Sequence, residues 1–306
     1  MDRPDYQSLI DSATWKFIRD TDASYPPDTA TLSIADQRAI YDRMCRAFHR
    51  GYPAGIVAED RPIGGVPCRL YAGAGGTILY FHGGGFVVGG LHSHDDVCAE
   101  LCAGTGLTVV SVDYRLCPEH PHPAAFEDAC AATRAALEEL PGPHLLAGDS
   151  AGGNLAAAVS HALGRKGKIA GQVLIYPGLG GDRDAGSYLT HAHAPMLTRD
   201  DTLFYAAIRH AGAEPAPDPT FAPLSDTDFS DLPPTLAIAA ECDPLADDAR
   251  AYAARITAAG GTALAVTEPG LVHGYLRARA TVPRAAASFA RIIAALRDMA
   301  AGNWRP

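Results

Sequence analysis

Residues 145–154 place the strongest constraint on the fold of this chain. A short apolar run ends at Gly148, Ser150 lies between Gly148 and Gly152, and an alanine-rich segment with helical character follows. This strand–turn–helix context is typical of a G-x-S-x-G nucleophile elbow, a tight turn in which flanking glycines avoid clashes and permit strained dihedrals. The serine hydroxyl would then be exposed beside the N–H group of Ala151 at a helix N-terminus, which suits a developing oxyanion. Such a triplet also arises by chance in roughly one to two chains in ten of this length, so other features have to decide.

The pattern around the elbow predicts an α/β fold. Apolar strand-like runs alternate with amphipathic segments, which favours a mostly parallel central sheet with helices on both faces. The first strands follow one another without helices between them, so we expect an antiparallel first edge. The predicted strands are 55–59, 66–72, 77–81, 107–112, the run before Gly148, 173–176, 235–239 and 262–266, and the predicted helices are 93–104, 124–140, 151–164, 245–259 and 283–299.

Two segments do not fit this alternation and are interpreted as a helical cap. Residues 1–53 carry two amphipathic helical patterns separated by Tyr25-Pro26-Pro27. Residues 179–234 are polar and rich in glycine and proline, with one good helix near 200–211. The sequence thus predicts a catalytic domain of residues 54–178 and 235–306, covered by an N-terminal cap part (1–53) and an inserted cap part (179–234). A chain of 306 residues can form one such large domain with an added subdomain.

Composition excludes several classes of partner. The net charge of −10 argues against nucleic acid and anionic membranes, which require clustered positive charge. No secretory signal and no run of membrane-spanning length is visible, and seven cysteines without a C-x-x-C pair indicate reduced thiols. We therefore expect a cytoplasmic protein that acts on a small molecule, and a homodimer through an exposed sheet edge is compatible with this fold.

A second motif follows the predicted strand 77–81. His82 precedes the glycines Gly83, Gly84 and Gly85, a run that arises by chance in roughly one chain in a hundred of this length. Glycine allows backbone N–H groups to approach a substrate oxygen closely, so Gly84 and Gly85 are expected to share the oxyanion with Ala151. A flexible glycine turn is the alternative. His82 itself is interpreted as a side chain that braces the loop.

The remaining catalytic groups are expected in the order serine, acid, histidine. Glu241 and Asp243 both follow the strand 235–239, and Asp243 could instead be a simple helix N-cap before Pro244. Of the 12 histidines, only His273 lies beyond the last predicted strand, which makes it the candidate base. On local sequence alone, Glu241 and Asp243 both remain candidates for the acid.

Together these motifs resemble those of the hormone-sensitive-lipase-like bacterial carboxylesterases, a family of α/β-hydrolases. The matching segments are 82–86, 113–120, 148–154, 243–245 and 273–275, and the resemblance covers most of the chain from about residue 66 onwards. The resemblance implies an α/β-hydrolase fold with a cap built from N-terminal helices and a later insertion. It also favours Asp243 over Glu241 as the acid of a triad with Ser150 and His273.

The resulting prediction is a serine carboxylesterase for short- to medium-chain acyl esters, acting through an acyl-enzyme without a cofactor. Alternatives on the same triad are amide, lactone or carbonate hydrolysis, because specificity depends on the pocket. A non-catalytic receptor of the same fold is a further alternative, although such receptors resemble esterases whose triad histidine is replaced. Three H-x-H pairs, at 92/94, 120/122 and 191/193, suggest a metal site only weakly, since none lies in a convincing strand.

Overall fold

An eight-stranded, mostly parallel sheet forms the centre of the computed structural model, which describes residues 4–212 and 216–306. The strand order is β1-β2-β4-β3-β5-β6-β7-β8; β1 and β2 are antiparallel to their neighbours, and every later pair is parallel. The α/β-hydrolase fold class and the antiparallel first edge are therefore confirmed. The strands are β1 Ala58–Ile63, β2 Val66–Tyr71, β3 Thr77–Phe81, β4 Thr108–Val112, β5 His144–Asp149, β6 Gly171–Ile175, β7 Thr235–Cys242 and β8 Ala263–Val272.

Helices cover both faces of this sheet. The helices are α1 Tyr6–Leu9, α2 Ser12–Asp22, α3 Ile34–Phe48, α4 Asp95–Thr105, α5 Ala124–Glu139, α6 Ala151–Leu163, α7 Gly186–Thr190, α8 Arg199–His210, α9 Ala246–Ala258 and α10 Pro283–Ala300. Side chains of a strand alternate between faces. In β5, Leu145 and Ala147 face the core under α4 and α10, whereas Leu146 faces the core under α5 and α6. This two-sided burial explains why the central strands are continuously apolar.

Several predicted boundaries were wrong. The strand predicted at 55–59 begins only at Ala58, because Ile56 closes a turn by donating to the Pro53 carbonyl. Strand β7 extends three residues beyond the predicted end at Ala239, and β8 continues to Val272, six residues beyond the predicted end at Val266. Short helix α7 was not predicted. The parts of the predicted cap segments at residues 1–3 and 213–215 lie outside the described residues.

Within the described part of the chain, no helix is both long and apolar enough to cross a bilayer. All seven cysteines are free and buried. Burial raises the pKa of several of these thiols, for example to about 12 at Cys68, so they stay protonated and behave as small apolar core residues.

Candidate active site

Ser150 occupies the turn between β5 and α6 in a strained conformation. Its φ of 55° and ψ of −117° lie in a region that residues other than glycine rarely adopt. The turn is possible because a Cβ on Gly152 would lie 1.9 Å from the Phe81 carbonyl oxygen, and one on Gly148 would lie 2.4 Å from that of Gly152. The backbone N–H of Ser150 donates to Ile175 O at 2.9 Å, which anchors the turn to β6. The elbow predicted from the glycine spacing is present.

The structure brings Ser150, His273 and Asp243 together from three distant parts of the chain. The distance from Ser150 Oγ to His273 Nε2 is 2.8 Å, and that from His273 Nδ1 to Asp243 Oδ2 is 2.7 Å. Asp243 is fully buried, whereas His273 is partly accessible and faces a cavity together with Ser150. A serine, an imidazole and a carboxylate in this arrangement can generate a nucleophilic alkoxide and hold the imidazolium that forms.

Glu241, the alternative acid, is engaged elsewhere. It lies inside β7, and its Oε2 accepts a hydrogen bond of 2.6 Å from the N–H of Gly270 in β8. The second oxygen of Asp243 accepts from Leu245 N at 2.9 Å, and α9 begins only at Ala246 with Leu245 at its cap position. Asp243 is therefore not the N-cap of α9, and one of its oxygens is available to orient an imidazole.

Three backbone N–H groups next to Ser150 are unused. In residues 4–212 and 216–306, the N–H groups of Gly84, Gly85 and Ala151 have no hydrogen-bond acceptor, and all three residues line the cavity that contains Ser150. Ala151 is the first residue of α6, so its N–H also lies at the positive end of a helix. These donors are free to bind an oxygen of a ligand.

His82 supports the glycine loop from the buried side. It is fully buried, its Nδ1 lies 2.8 Å from the Gly83 carbonyl oxygen, and its ring stacks on Tyr114 with centroids 4.3 Å apart. Burial lowers the pKa of His82 to about 4, which keeps the ring neutral at neutral pH. The Gly83 N–H in turn donates to Asp149 Oδ1 at 3.0 Å.

Asp149 is an important site residue that the sequence reasoning missed. Its carboxylate accepts hydrogen bonds from Tyr80 Oη, at 2.8 Å, and from the Gly83 N–H, and it lies 3.2 Å from His94 Nε2. Burial acts to raise the pKa of Asp149, but the contacts with His94 and Tyr80 outweigh it and hold the pKa well below 3.8. Asp149 thus joins the elbow to the glycine loop. Its place directly before the nucleophile was a signal for this role.

We expect Asp149→Asn to lower the free energy of unfolding by about 1–3 kcal/mol at pH 7, because one acceptor of a buried charged network becomes a donor. A lowered native pKa stabilises the fold above the unfolded-state value near 3.9, and this contribution is lost progressively as the pH falls from about that value through the lower native pKa. The difference between wild type and variant should therefore shrink between pH 5 and pH 3. Guanidinium denaturation at several pH values measures the free energy of unfolding of both proteins. A difference between them that does not change with pH would contradict this role of Asp149.

A cavity of about 790 Å³ lies above the site. Phe204 and Tyr205 of α8 line it, whereas Phe17 packs in the core and Trp15 packs against that core. Both predicted cap segments contribute lining residues. They include Thr21, Tyr25, Tyr41 and Met44 from the N-terminal segment and Tyr188, Met196, Leu197, Phe204, Tyr205 and Arg209 from the insertion.

Arg209 connects the insertion to the nucleophile helix. Its guanidinium lies between the rings of Phe86 and Phe221, at 3.7 and 4.2 Å from their centroids, and donates to Asn154 Oδ1 at 3.2 Å and to the Phe221 carbonyl at 2.9 Å. Burial lowers the pKa of Arg209 to about 9, so the residue remains charged at neutral pH. These contacts hold α8 over the active site, and the sequence contained no local pattern that revealed them.

The H-x-H pairs are not assembled into a metal centre. Across the described residues there is no group of three or more histidine, cysteine or acidic side chains that could hold a metal ion. His94 binds Asp149, and His122 Nε2 lies 3.1 Å from Asp218. Polar partners within the fold therefore account for the contacts of these two histidines.

Comparison with known proteins identifies related enzymes. Residues 78–277 match a family model described as an alpha/beta hydrolase fold. The chain is 36% identical over 285 residues to the carboxylesterase NlhH of Mycobacterium tuberculosis, covering 89% of this chain and 85% of the relative. It is 34% identical over 251 residues to an ethyl acetate hydrolase of Pseudomonas putida, covering 76% and 78%. A solved structure, the hyperthermophilic esterase from the archaeon Pyrobaculum calidifontis, superimposes with a TM-score of 0.85 at 29% identity, covering 95% of this chain and 99% of the other.

Proposed function

The chain belongs to the hormone-sensitive-lipase-like carboxylesterases of the α/β-hydrolase fold and is a serine ester hydrolase, and we propose that Ser150, His273 and Asp243 are its catalytic triad. The observation that carries this proposal is the continuous chain of hydrogen bonds from Ser150 Oγ through both imidazole nitrogens to Asp243, at 2.8 and 2.7 Å. The proposed substrates are esters with short- to medium-chain acyl groups.

The first half of the reaction follows from this geometry. Ser150 Oγ attacks the ester carbonyl carbon while His273 Nε2 accepts the hydroxyl proton. Asp243 keeps the remaining ring proton on Nδ1 and stabilises the imidazolium. When the tetrahedral intermediate collapses, the C–O bond to the alcohol breaks, His273 returns its proton to the departing alkoxide, and an acyl-serine remains.

The second half repeats these steps with water. His273 removes a proton from a water molecule, the resulting hydroxide adds to the acyl carbon, and Ser150 leaves with the proton held by the imidazolium. These steps transfer only protons and an acyl group. His273 carries the protons, and Ser150 carries the acyl group.

We assign stabilisation of the oxyanion in both tetrahedral intermediates to the unused N–H groups of Gly84, Gly85 and Ala151. Fixed donors in a site shielded from water stabilise developing charge without reorganisation, and losing one costs about 10²–10³ in rate in a comparable enzyme. Asp149 and His82 support this assignment, because they hold the glycine loop against the elbow through its backbone. We assign Gly83, Gly148 and Gly152 to positioning the loop and the elbow.

The cavity supports a limited acyl length. Its volume of about 790 Å³ lies within the range of pockets that enclose a compact small molecule. Side chains of both cap segments, residues 1–53 and 179–234, close it over Ser150, which supports their assignment as one cap. We propose that the cap segments bound the length of acyl chain that is enclosed, so that acetyl to octanoyl groups are the favoured ones. The relative from Pseudomonas putida is called an ethyl acetate hydrolase, which agrees with a short acyl group.

Hydrolysis of p-nitrophenyl esters from acetate to palmitate tests the proposal. We expect kcat/KM to be highest between two and eight acyl carbons and to fall at least about tenfold by 16 carbons, because the longer chain must expose apolar surface outside the cavity. Initial rates below the solubility limit of each ester measure the profile. A rate that rises steadily to palmitate would contradict the acyl limit, and no turnover of any ester by folded enzyme would contradict the triad assignment.

A further inference from the structure

Arg277 places a positive charge in the active-site cavity that the proposed mechanism does not use. It lies four residues after His273, on the helical turn Tyr275–Ala278, and lines the same cavity as Ser150. A Cβ built on Gly274 would lie 3.1 Å from Arg277 Nη1, so the guanidinium folds back towards the residue that follows the catalytic histidine. A substrate bound at Ser150 therefore shares its cavity with this guanidinium.

The side chains recorded in direct contact with the Arg277 guanidinium are neutral. Its Nη2 donates to the hydroxyl of Tyr41, whose ring centroid lies 5.0 Å from the guanidinium carbon, and the Cys45 thiol also contacts it. Burial and neighbouring groups raise the pKa of Tyr41 well above 10, so it does not supply a negative charge. Arg277 Nε is buried without any hydrogen-bond partner among the described residues. A buried guanidinium in this state lacks a contacting carboxylate and part of its hydrogen bonding.

The fold satisfies its other buried arginines differently. Arg279, two residues further along, lies 2.6 Å from Asp96 Oδ2 and 2.7 Å from Glu100 Oε1. Arg209 in the same cavity donates to backbone carbonyls and to Asn154 and is enclosed by two aromatic rings. Removing the partner of a buried charge is strongly destabilising, so an arginine without one is unusual. Arg277 differs from both neighbours in this respect.

The acidic residues of the cavity do not neutralise Arg277. In the described part of the chain no carboxylate oxygen lies within 4.0 Å of its guanidinium. The charge of Arg277 helps to lower the pKa of Asp149, but the Asp149 carboxylate is hydrogen-bonded to the glycine loop and His94 rather than to the guanidinium. Asp22, Asp200 and Asp201 line the cavity with exposed side chains. These exposed carboxylates repel an anion from their own part of the cavity, whereas the Arg277 guanidinium attracts one to the part that it lines.

We propose that Arg277 forms an anion subsite beside the triad and that the substrates are esters carrying a carboxylate elsewhere in the molecule, such as half-esters of dicarboxylic acids. The inference rests on the proposed esterase function of Ser150. A planar guanidinium binds a carboxylate through charge-assisted hydrogen bonds and can do so in a bidentate fashion. Arg277 Nε, which has no hydrogen-bond partner among the described residues, is a donor left for such a ligand.

Two matched substrate pairs test the subsite and distinguish the acyl from the alcohol side. Monomethyl adipate is compared with methyl hexanoate, and 4-acetoxybutanoate with butyl acetate, by kcat/KM in wild type and Arg277→Gln. We expect the anionic-to-neutral ratio of at least one pair to fall by about 10- to 100-fold in Arg277→Gln. Arg277→Lys should retain part of the preference. Arg134→Gln, which removes an exposed charge on α5, should leave the ratio as in wild type.

A ratio that is the same in wild type and in folded Arg277→Gln, for both pairs, would overturn the subsite. If Arg277→Gln does not fold, the subsite is tested in the wild-type enzyme instead, by measuring how adipate inhibits the hydrolysis of p-nitrophenyl butyrate. Adipate should then inhibit competitively and more strongly than its neutral diamide, and equal inhibition would overturn the proposal. Calorimetric binding of adipate to Ser150→Ala separates the two proposals, because it tests the anion subsite even if no ester is hydrolysed.

Discussion

Replacing Ser150 with alanine is expected to lower kcat for p-nitrophenyl butyrate by about 10⁶-fold, the loss found when the nucleophile of a serine triad is removed in a comparable enzyme. Without Oγ no acyl-enzyme can form, and His273 alone cannot replace it. The fold should persist, since the only side-chain hydrogen bond of Ser150 within the described residues is to His273 Nε2. Steady-state kinetics and thermal unfolding of the purified variant measure both effects.

Ser160→Ala is the matched control for this substitution. Ser160 lies in the same helix, α6, is fully buried, and donates to the helix carbonyl of Ala157 at 3.0 Å. It should keep nearly full activity. A Ser150→Ala enzyme that retains more than a few per cent of wild-type kcat would show that the nucleophile is another residue.

Features encoded in a few consecutive residues could be predicted from the sequence. The elbow depends on close approaches at Gly148 and Gly152, and glycine is required there whatever the distant parts of the chain do. The alternation of strands and helices predicted the parallel sheet. The expected chain order of nucleophile and base pointed to Ser150 and His273, and the structure places Ser150 Oγ 2.8 Å from His273 Nε2. In these cases the local physical constraint is stronger than the tertiary context.

Features that depend on distant contacts could not be predicted. The role of Asp149 follows from His94 and Tyr80, which belong to other elements. The charge of Arg277 is informative only because no carboxylate of the described residues contacts it, and burial cannot be inferred from an arginine in a loop pattern. Local sequence could not decide between Glu241 and Asp243 for the same reason, because the answer depends on which of the two side chains faces His273.

Replacing Asp243 with asparagine is expected to lower kcat by about 10⁴-fold, because the amide no longer fixes the ring proton on Nδ1. An asparagine can present its NH₂ group to Nδ1, which favours the tautomer with the proton on Nε2. In that tautomer Nε2 cannot accept the proton of Ser150. The variant should fold and should still bind substrate, so kcat should fall much more than KM changes in steady-state kinetics.

Glu241→Gln is the control that separates the two candidate acids. Glutamine keeps an oxygen that can accept from Gly270 N–H, so the contact between β7 and β8 survives without the negative charge. If Asp243 orients the base, Glu241→Gln should lower kcat by less than about tenfold, while Asp243→Asn loses nearly all activity. The reverse order would assign the acid to Glu241 despite the 2.7 Å contact between Asp243 Oδ2 and His273 Nδ1. Equal, small losses in both variants would mean that the imidazole is oriented by the packing of its ring against Tyr176, at a centroid distance of 4.8 Å, rather than by either carboxylate.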